Sequence, residues 1–159
     1  MRYPEFARKT ITTKLHVKLK DMALKITLKP NERIIIDGAV ITNGKSSSNM
    51  IIENNVPVLR EKNIMSERDA YSPCRRIYFV IQLMYVNEQD LETYHDMYWD
   101  LVRDILEVAP SMLGLIDRIS DHILNTDYYQ ALKMAITLID YEEEVINLVP
   151  ECISNISGS

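Results

Sequence analysis

A chain of 159 residues and 18.5 kDa has room for one domain or two small ones. Hydrophobic residues at 47% and charged residues at 26% are ordinary for a globular protein and exclude a largely disordered chain. No apolar run approaches the roughly 18 residues of a membrane span, and Cys74 and Cys152, far apart and outside any CxxC spacing, support neither a disulfide scaffold nor a zinc cage.

With so few cysteines and no signal-peptide apolar core, a reducing cytoplasm is the expected compartment. The net charge of −5 conceals a gradient: residues 1–21 carry +4, residues 22–65 carry +2 and residues 66–159 carry −11. A basic front fits a polyanion, whereas an acidic back is repelled from one and fits a protein partner or a solvated helical surface.

Residues 1–21 show little periodicity and no helix cap, and read as a flexible basic extension. From Met22 the pattern changes. Leu24, Ile26 and Leu28 alternate with Lys25, Thr27 and Lys29, which puts aliphatic side chains on one face of a strand and polar ones on the other. Pro30-Asn31 breaks the strand. Residues 33–36 and 39–42 are β-branched runs separated by Asp37-Gly38, the strongest short-range hairpin signal, because a type I′ turn needs positive φ at both central positions. Asn43-Gly44 predicts another turn, residues 50–53 a fourth strand, and residues 56–60 a fifth, at an edge because of Pro57.

Five strands in about forty residues are too small a sheet to stand alone. Residues 22–65 also contain no Phe, Tyr or Trp. Base stacking on aromatic rings is therefore unavailable there, and any RNA contact must use strand-edge backbone groups, Lys and Arg.

The back half changes to helical spacing. Pro73 suits a first helical turn, followed by Ile77, Val80, Ile81 and Met84. Asn87 is a good N-cap with Asp90 at N3, ahead of Leu91, Tyr94, Tyr98, Leu101, Val102 and Ile105. Ser111 is the expected cap of a third helix bearing Leu115, Ile116, Ile119 and Ile123. Asn125-Thr126-Asp127 then leads into a fourth, with Ala131, Leu132, Ala135, Leu138 and Ile139. Glu142-Glu143-Glu144 is expected near the end of that helix, as a solvated terminus or a face for a basic partner, and residues 150–159 read as a frayed tail. Short connections favour a compact bundle.

The fold class expected is α+β: a small N-terminal five-stranded antiparallel β-domain (22–65), then a helical domain (66–149). No Gly-rich phosphate loop, HExxH or GxSxG is present. His95 and His122 each neighbour an aspartate, but sequence neighbours point apart on a helix. Cys74 beside two arginines lacks a partner base, so no enzyme, metal or cofactor is expected. The tyrosines of the helical half and Trp99 suit core, rim and a protein interface.

The segments MALKITLKPNERIIIDGAVITNG, VPVLREKNI, RRIYFVIQLMYV and DYYQALKMAITLIDYEEE run in this order from Met22 to Glu144. Together they closely resemble the FlbT family of bacterial regulators of flagellin synthesis. The resemblance implies a post-transcriptional repressor that binds the 5′ untranslated leader of flagellin mRNA and promotes its decay. It also implies protein partners: a small helical protein, FlaF, and flagellin itself.

The front half alone is similar to the RNA-binding CsrA family, in LKITLKPNERIIIDG followed by VPVLREKNI. That similarity implies a five-stranded domain that dimerises by interleaving strands, with an RNA edge built from the first and last strands. Arg60-Glu61 matches its key arginine motif, and Thr27, Lys29 and Glu32 fall in its first strand and turn. Leu28 departs from a basic position, Asn31 from a glycine, and the middle strands are shorter.

The RNA-binding residues expected are therefore Lys25, Thr27, Lys29, Arg33, Arg60 and Lys62, with a homodimer through the β-domain. The alternative function is a protein-binding adaptor for flagellin or FlaF that affects RNA only indirectly.

Overall fold

A computed structural model describes residues 23–156, with side chains through residue 148. The extension expected over 1–21 lies outside the described residues. The chain divides into two compact units between Lys62 and Asn63.

The first unit contains five short strands: β1 (Leu24–Leu28), β2 (Arg33–Ile36), β3 (Ala39–Thr42), β4 (Ser48–Ile52) and β5 (Val58–Arg60). They form two small antiparallel sheets, β1 with β4 and β3-β2-β5. In the first, Ile26 stands opposite Met50 and Lys25 opposite Ile51; in the second, Ile34 stands opposite both Ile41 and Arg60.

The alternation of β1 holds for Ile26 and Leu28, whereas Leu24, at the start of the strand, is exposed. Ile26 and Leu28 are buried and pack with Ile34, while Ile36, Met50, Ile52 and Val58 complete the cluster between the sheets. Lys25 and Thr27 face outward and are exposed. Turn chemistry holds the strands together. Asp37 and Gly38 have φ of 50° and 79°, as a type I′ turn requires, and Asn31 takes the left-handed conformation at φ 59° where the CsrA pattern has glycine. Strand exchange of the CsrA kind needs a second chain; here β1 finds β4, and β5 finds β2, within one chain.

The second unit is helical: α1 (Pro73–Val86), α2 (Leu91–Val108), α3 (Leu113–Leu124) and α4 (Tyr128–Ile156). Helix α4 packs against α1 and α3, and α1 against α2. Ile77, Ile81, Met84, Tyr98, Ile119, Ile123, Ala135 and Leu138 are fully or almost fully buried at the predicted helical spacing. Tyr98 pairs its hydroxyl with Ser120 Oγ at 2.8 Å, which satisfies the polar end of a fully buried ring.

Residues 63–65 belong with the helices. Tyr78 donates to the Asn63 carbonyl at 2.7 Å, and Gln82 clips Met65 by accepting from its N–H at 2.8 Å and donating to its carbonyl at 2.9 Å.

Three helix-end expectations are revised. Ser111 is not the cap of α3: a 3-10 turn over Pro110–Met112, anchored by the buried Met112, feeds directly into the helix. Asn87 caps a 3-10 turn, accepting from Gln89 N–H at 3.1 Å, and α2 follows it. The frayed tail expected from residue 150 is instead helix as far as Ile156, running through Pro150. Proline removes one helical hydrogen bond there, and the helix continues in spite of it. Among the described residues no helix is long and apolar enough to cross a membrane.

Candidate nucleic-acid interface

The expected RNA-binding residues fall into two groups. Lys25 and Thr27 share the outer face of the β1-β4 sheet, and Lys29 follows them into the exposed turn after β1. Thr27 Oγ1 donates to Asn49 Oδ1 across the strand pair at 2.7 Å. Arg60 reaches this end of the sheet from β5. Its Nη2 donates to the Thr27 carbonyl at 3.0 Å, and its Nε and Nη2 grip the carboxylate of Glu32 at 2.7–2.9 Å.

The backbone N–H of Lys29 donates to the same carboxylate at 2.8 Å. Thr27, Lys29, Glu32 and Arg60 are therefore one hydrogen-bonded cluster, a clasp that ties β5 to the end of β1. The Lys29 N–H and then the Arg60 guanidinium hold the Glu32 carboxyl below the usual glutamate range.

Arg33 stands apart. It lies on the face of β2 away from Ile34, the face that also carries the buried Ile35, and its Nε pairs with Glu61 Oε1 at 3.3 Å. Lys62 is exposed in the one-turn 3-10 helix Glu61–Asn63. Neither Arg33 nor Lys62 joins the hydrogen-bonded cluster of Thr27, Lys29, Glu32 and Arg60.

Arg60 is neither buried nor fully committed. Its side chain is 38% exposed, and Nη1 makes no hydrogen bond among the described residues. A guanidinium held by its Nε and Nη2 atoms is pre-oriented, and the two N–H groups of Nη1 can still meet a phosphate or a base edge.

Asn43 was legible only as half of an Asn-Gly turn. Its Nδ2 donates to the carbonyls of Lys29 at 2.7 Å and Ser46 at 3.0 Å, while Ser48 donates to its Oδ1 at 2.7 Å. It thereby fixes the loop that carries Lys45 beside the end of β1. An asparagine before glycine is the available sequence signal, but its long-range partners are not.

The acidic trio lies within α4 and is not a solvated helix end. Glu142 is buried and accepts from Ser72 Oγ at 2.5 Å and from the Cys74 N–H at 3.3 Å, at the N-terminus of α1, while Glu143 pairs with Arg75 at 2.8 Å. Burial, with Glu142 alongside, pushes the Cys74 thiol up to about 12, which leaves it without nucleophilic character at neutral pH. His95 Nε2 meets the Tyr128 hydroxyl at 3.4 Å, and His122 pairs with Asp127 at 3.5 Å, so neither faces its sequence-neighbour aspartate.

Comparison with known proteins places this arrangement. The model of the family described as flagellar protein FlbT matches residues 24–146. A probable flagellum biosynthesis repressor protein FlbT 1 of Bradyrhizobium diazoefficiens is 46% identical over 125 residues, covering 78% of this chain and 85% of the relative. A probable flagellum biosynthesis repressor protein FlbT of Rhodopseudomonas palustris is 38% identical over 126 residues, covering 79% and 99%. The flagellum biosynthesis repressor protein FlbT of Caulobacter vibrioides is 34% identical over 135 residues, covering 84% and 96%. No solved structure matches. A match that takes in all five strands, the first three helices and most of the fourth makes this chain a member of the FlbT family of flagellar proteins.

Proposed function

We propose that the chain is a repressor of flagellum biosynthesis that acts in the cytoplasm by binding the 5′ untranslated leader of flagellin mRNA and promoting its decay. Its relatives' names support the repressor half of this reading. The observation that carries the RNA half is the half-used guanidinium of Arg60, clasped at the end of β1 beside the exposed Lys25 and Lys29. Lysines supply sequence-independent affinity for phosphate, and the open Nη1 edge with the β1 backbone supplies selectivity. No ring in residues 22–65 competes for that role. Arg33, on the other sheet and paired with Glu61, is a peripheral phosphate contact at most.

The test is a gel shift with flagellin leader RNA at fixed salt. Arg60→Ala weakens binding, and so does the double variant Lys25→Ala, Lys29→Ala, whose exposed positions leave the fold intact. If both bind the leader like the unmodified chain, the β-unit is not the RNA surface.

A second reading, an adaptor that meets flagellin or FlaF and reaches RNA indirectly, draws on a different observation. Residues 63–159 carry six Lys/Arg against seventeen Asp/Glu, a surface that favours polypeptide over message.

A further inference from the structure

A groove of about 530 Å³ lies between α1 and α2. Its apolar trough is formed by Phe79, Leu101 and Met97, the last 44% exposed. Its rim carries Glu67, Asp100 and Asp104, answered within the groove only by Arg76, whose Nε is turned to the Ala70 carbonyl at 3.4 Å. The rim continues along α2. Glu92, Asp96, Asp100 and Asp104 recur every four residues and all are exposed, so they form one acidic ladder beside the trough. Among the described residues only Asp100 of these four is ion-paired, with Arg103 at 2.7 Å.

Like charges at this spacing disfavour the helix that carries them. A matching row of cations relieves that cost, and an apolar side chain fills the trough. We propose that the groove docks a cationic amphipathic helix of a partner protein, with a long aliphatic side chain between Phe79 and Met97 and Lys or Arg along the Asp100–Asp104 ladder. The rim's sign decides against two other occupants. RNA phosphates are repelled by it, and a second copy of this helical unit presents net charge of the same sign. The proposal does not rest on RNA binding, and it gives the protein-adaptor reading a location.

The experiment titrates the full chain with a dye-labelled Leu/Lys amphipathic peptide of about 15 residues, roughly four helical turns, followed by fluorescence anisotropy. A peptide with Glu in place of every Lys serves as the control. The Lys peptide is expected to bind, more weakly as salt is raised, and the Glu peptide is not. Met97→Lys and Asp104→Lys, both at exposed positions, should each weaken binding about tenfold or more. Asp140→Asn, on the exposed surface of α4, should leave it unchanged. Three results overturn the proposal: no binding of the Lys peptide, equal binding of the Glu peptide, or a loss in Asp140→Asn that matches the groove variants. Leader-RNA gel shifts with Met97→Lys stay at the unmodified level, so failure of the groove and failure of the RNA reading are separately visible.

Discussion

Glu32 does two jobs that are hard to combine. Its carboxylate accepts from the Lys29 backbone inside the turn and from the guanidinium of Arg60, 28 residues away in sequence, and it is almost buried while doing so. These donors favour the ionised form, so its folded-state pKa lies below the unfolded value of about 4.3. A depressed carboxylate stabilises the fold above its unfolded pKa, and that contribution is lost as pH falls through the folded one. Glu32→Gln is therefore expected to melt below the unmodified chain at pH 7, with the gap closing as the pH is taken below the ordinary glutamate range. A gap that stays constant down to low pH, measured by thermal melts followed by circular dichroism, would show that the clasp is not ionic. The residues of this site were individually visible in the sequence; their mutual contact was not. Arg60 could be picked out because its neighbourhood resembles an RNA-binding motif. Nothing local in ERIII says that the acid at its head turns back to hold that arginine, because the pairing depends on how two separate sheets are brought together.

At the level of elements, local chemistry predicted what local chemistry controls. The Asp37-Gly38 turn forms because only a few residue types tolerate two positive φ angles in succession, and β1 buries alternate residues because a strand's faces alternate. Sheet membership is a different matter. β3 and β4 are consecutive and separated by only five residues, yet β4 pairs with β1 and β3 stays on β2. Period-two patterns identify a face but not a neighbour. Helix α4 shows the opposite limit. Three acids and then a proline read as a helix giving out, whereas the acids are held by tertiary contacts: Glu142 is buried against the start of α1, and its carboxylate satisfies a free N–H that the first turn of any helix leaves over. Glu142→Ala leaves the Cys74 N–H and the Ser72 hydroxyl without this acceptor in a buried place. The expected cost is about 1–3 kcal/mol of unfolding free energy, read as a lower urea midpoint with unchanged slope. Glu142→Gln, which keeps an acceptor oxygen, should lose less. Equal midpoints for Glu142→Ala and the unmodified chain would mean that the contact between α4 and α1 rests on Ala135, Leu138 and their apolar neighbours alone.

For the whole molecule, charge sets how RNA binding must respond to salt. Each phosphate neutralised on a single strand contributes about −0.7 to the slope of log K against log salt. The face that carries Arg60 offers Lys25, Lys29 and the open edge of Arg60, whereas Arg33 is paired with Glu61. Three such contacts give a slope of about −2. The seventeen acids of residues 63–159 push in the opposite direction, since added salt also screens their repulsion of RNA and flattens the curve. The full chain is thus expected to show a shallow slope, no steeper than about −2, on flagellin leader RNA. The Lys25→Ala, Lys29→Ala variant should lie close to −0.7, the value left to a single contact. Fluorescence titrations between low and physiological salt decide the matter. A slope several times steeper would assign most of the phosphate contacts to cations outside this face, and the six Lys and Arg of residues 1–21 would be the first to replace. A slope unchanged by the double variant would remove Lys25 and Lys29 from the RNA surface and leave Arg60 alone on this face to be tested by Arg60→Ala.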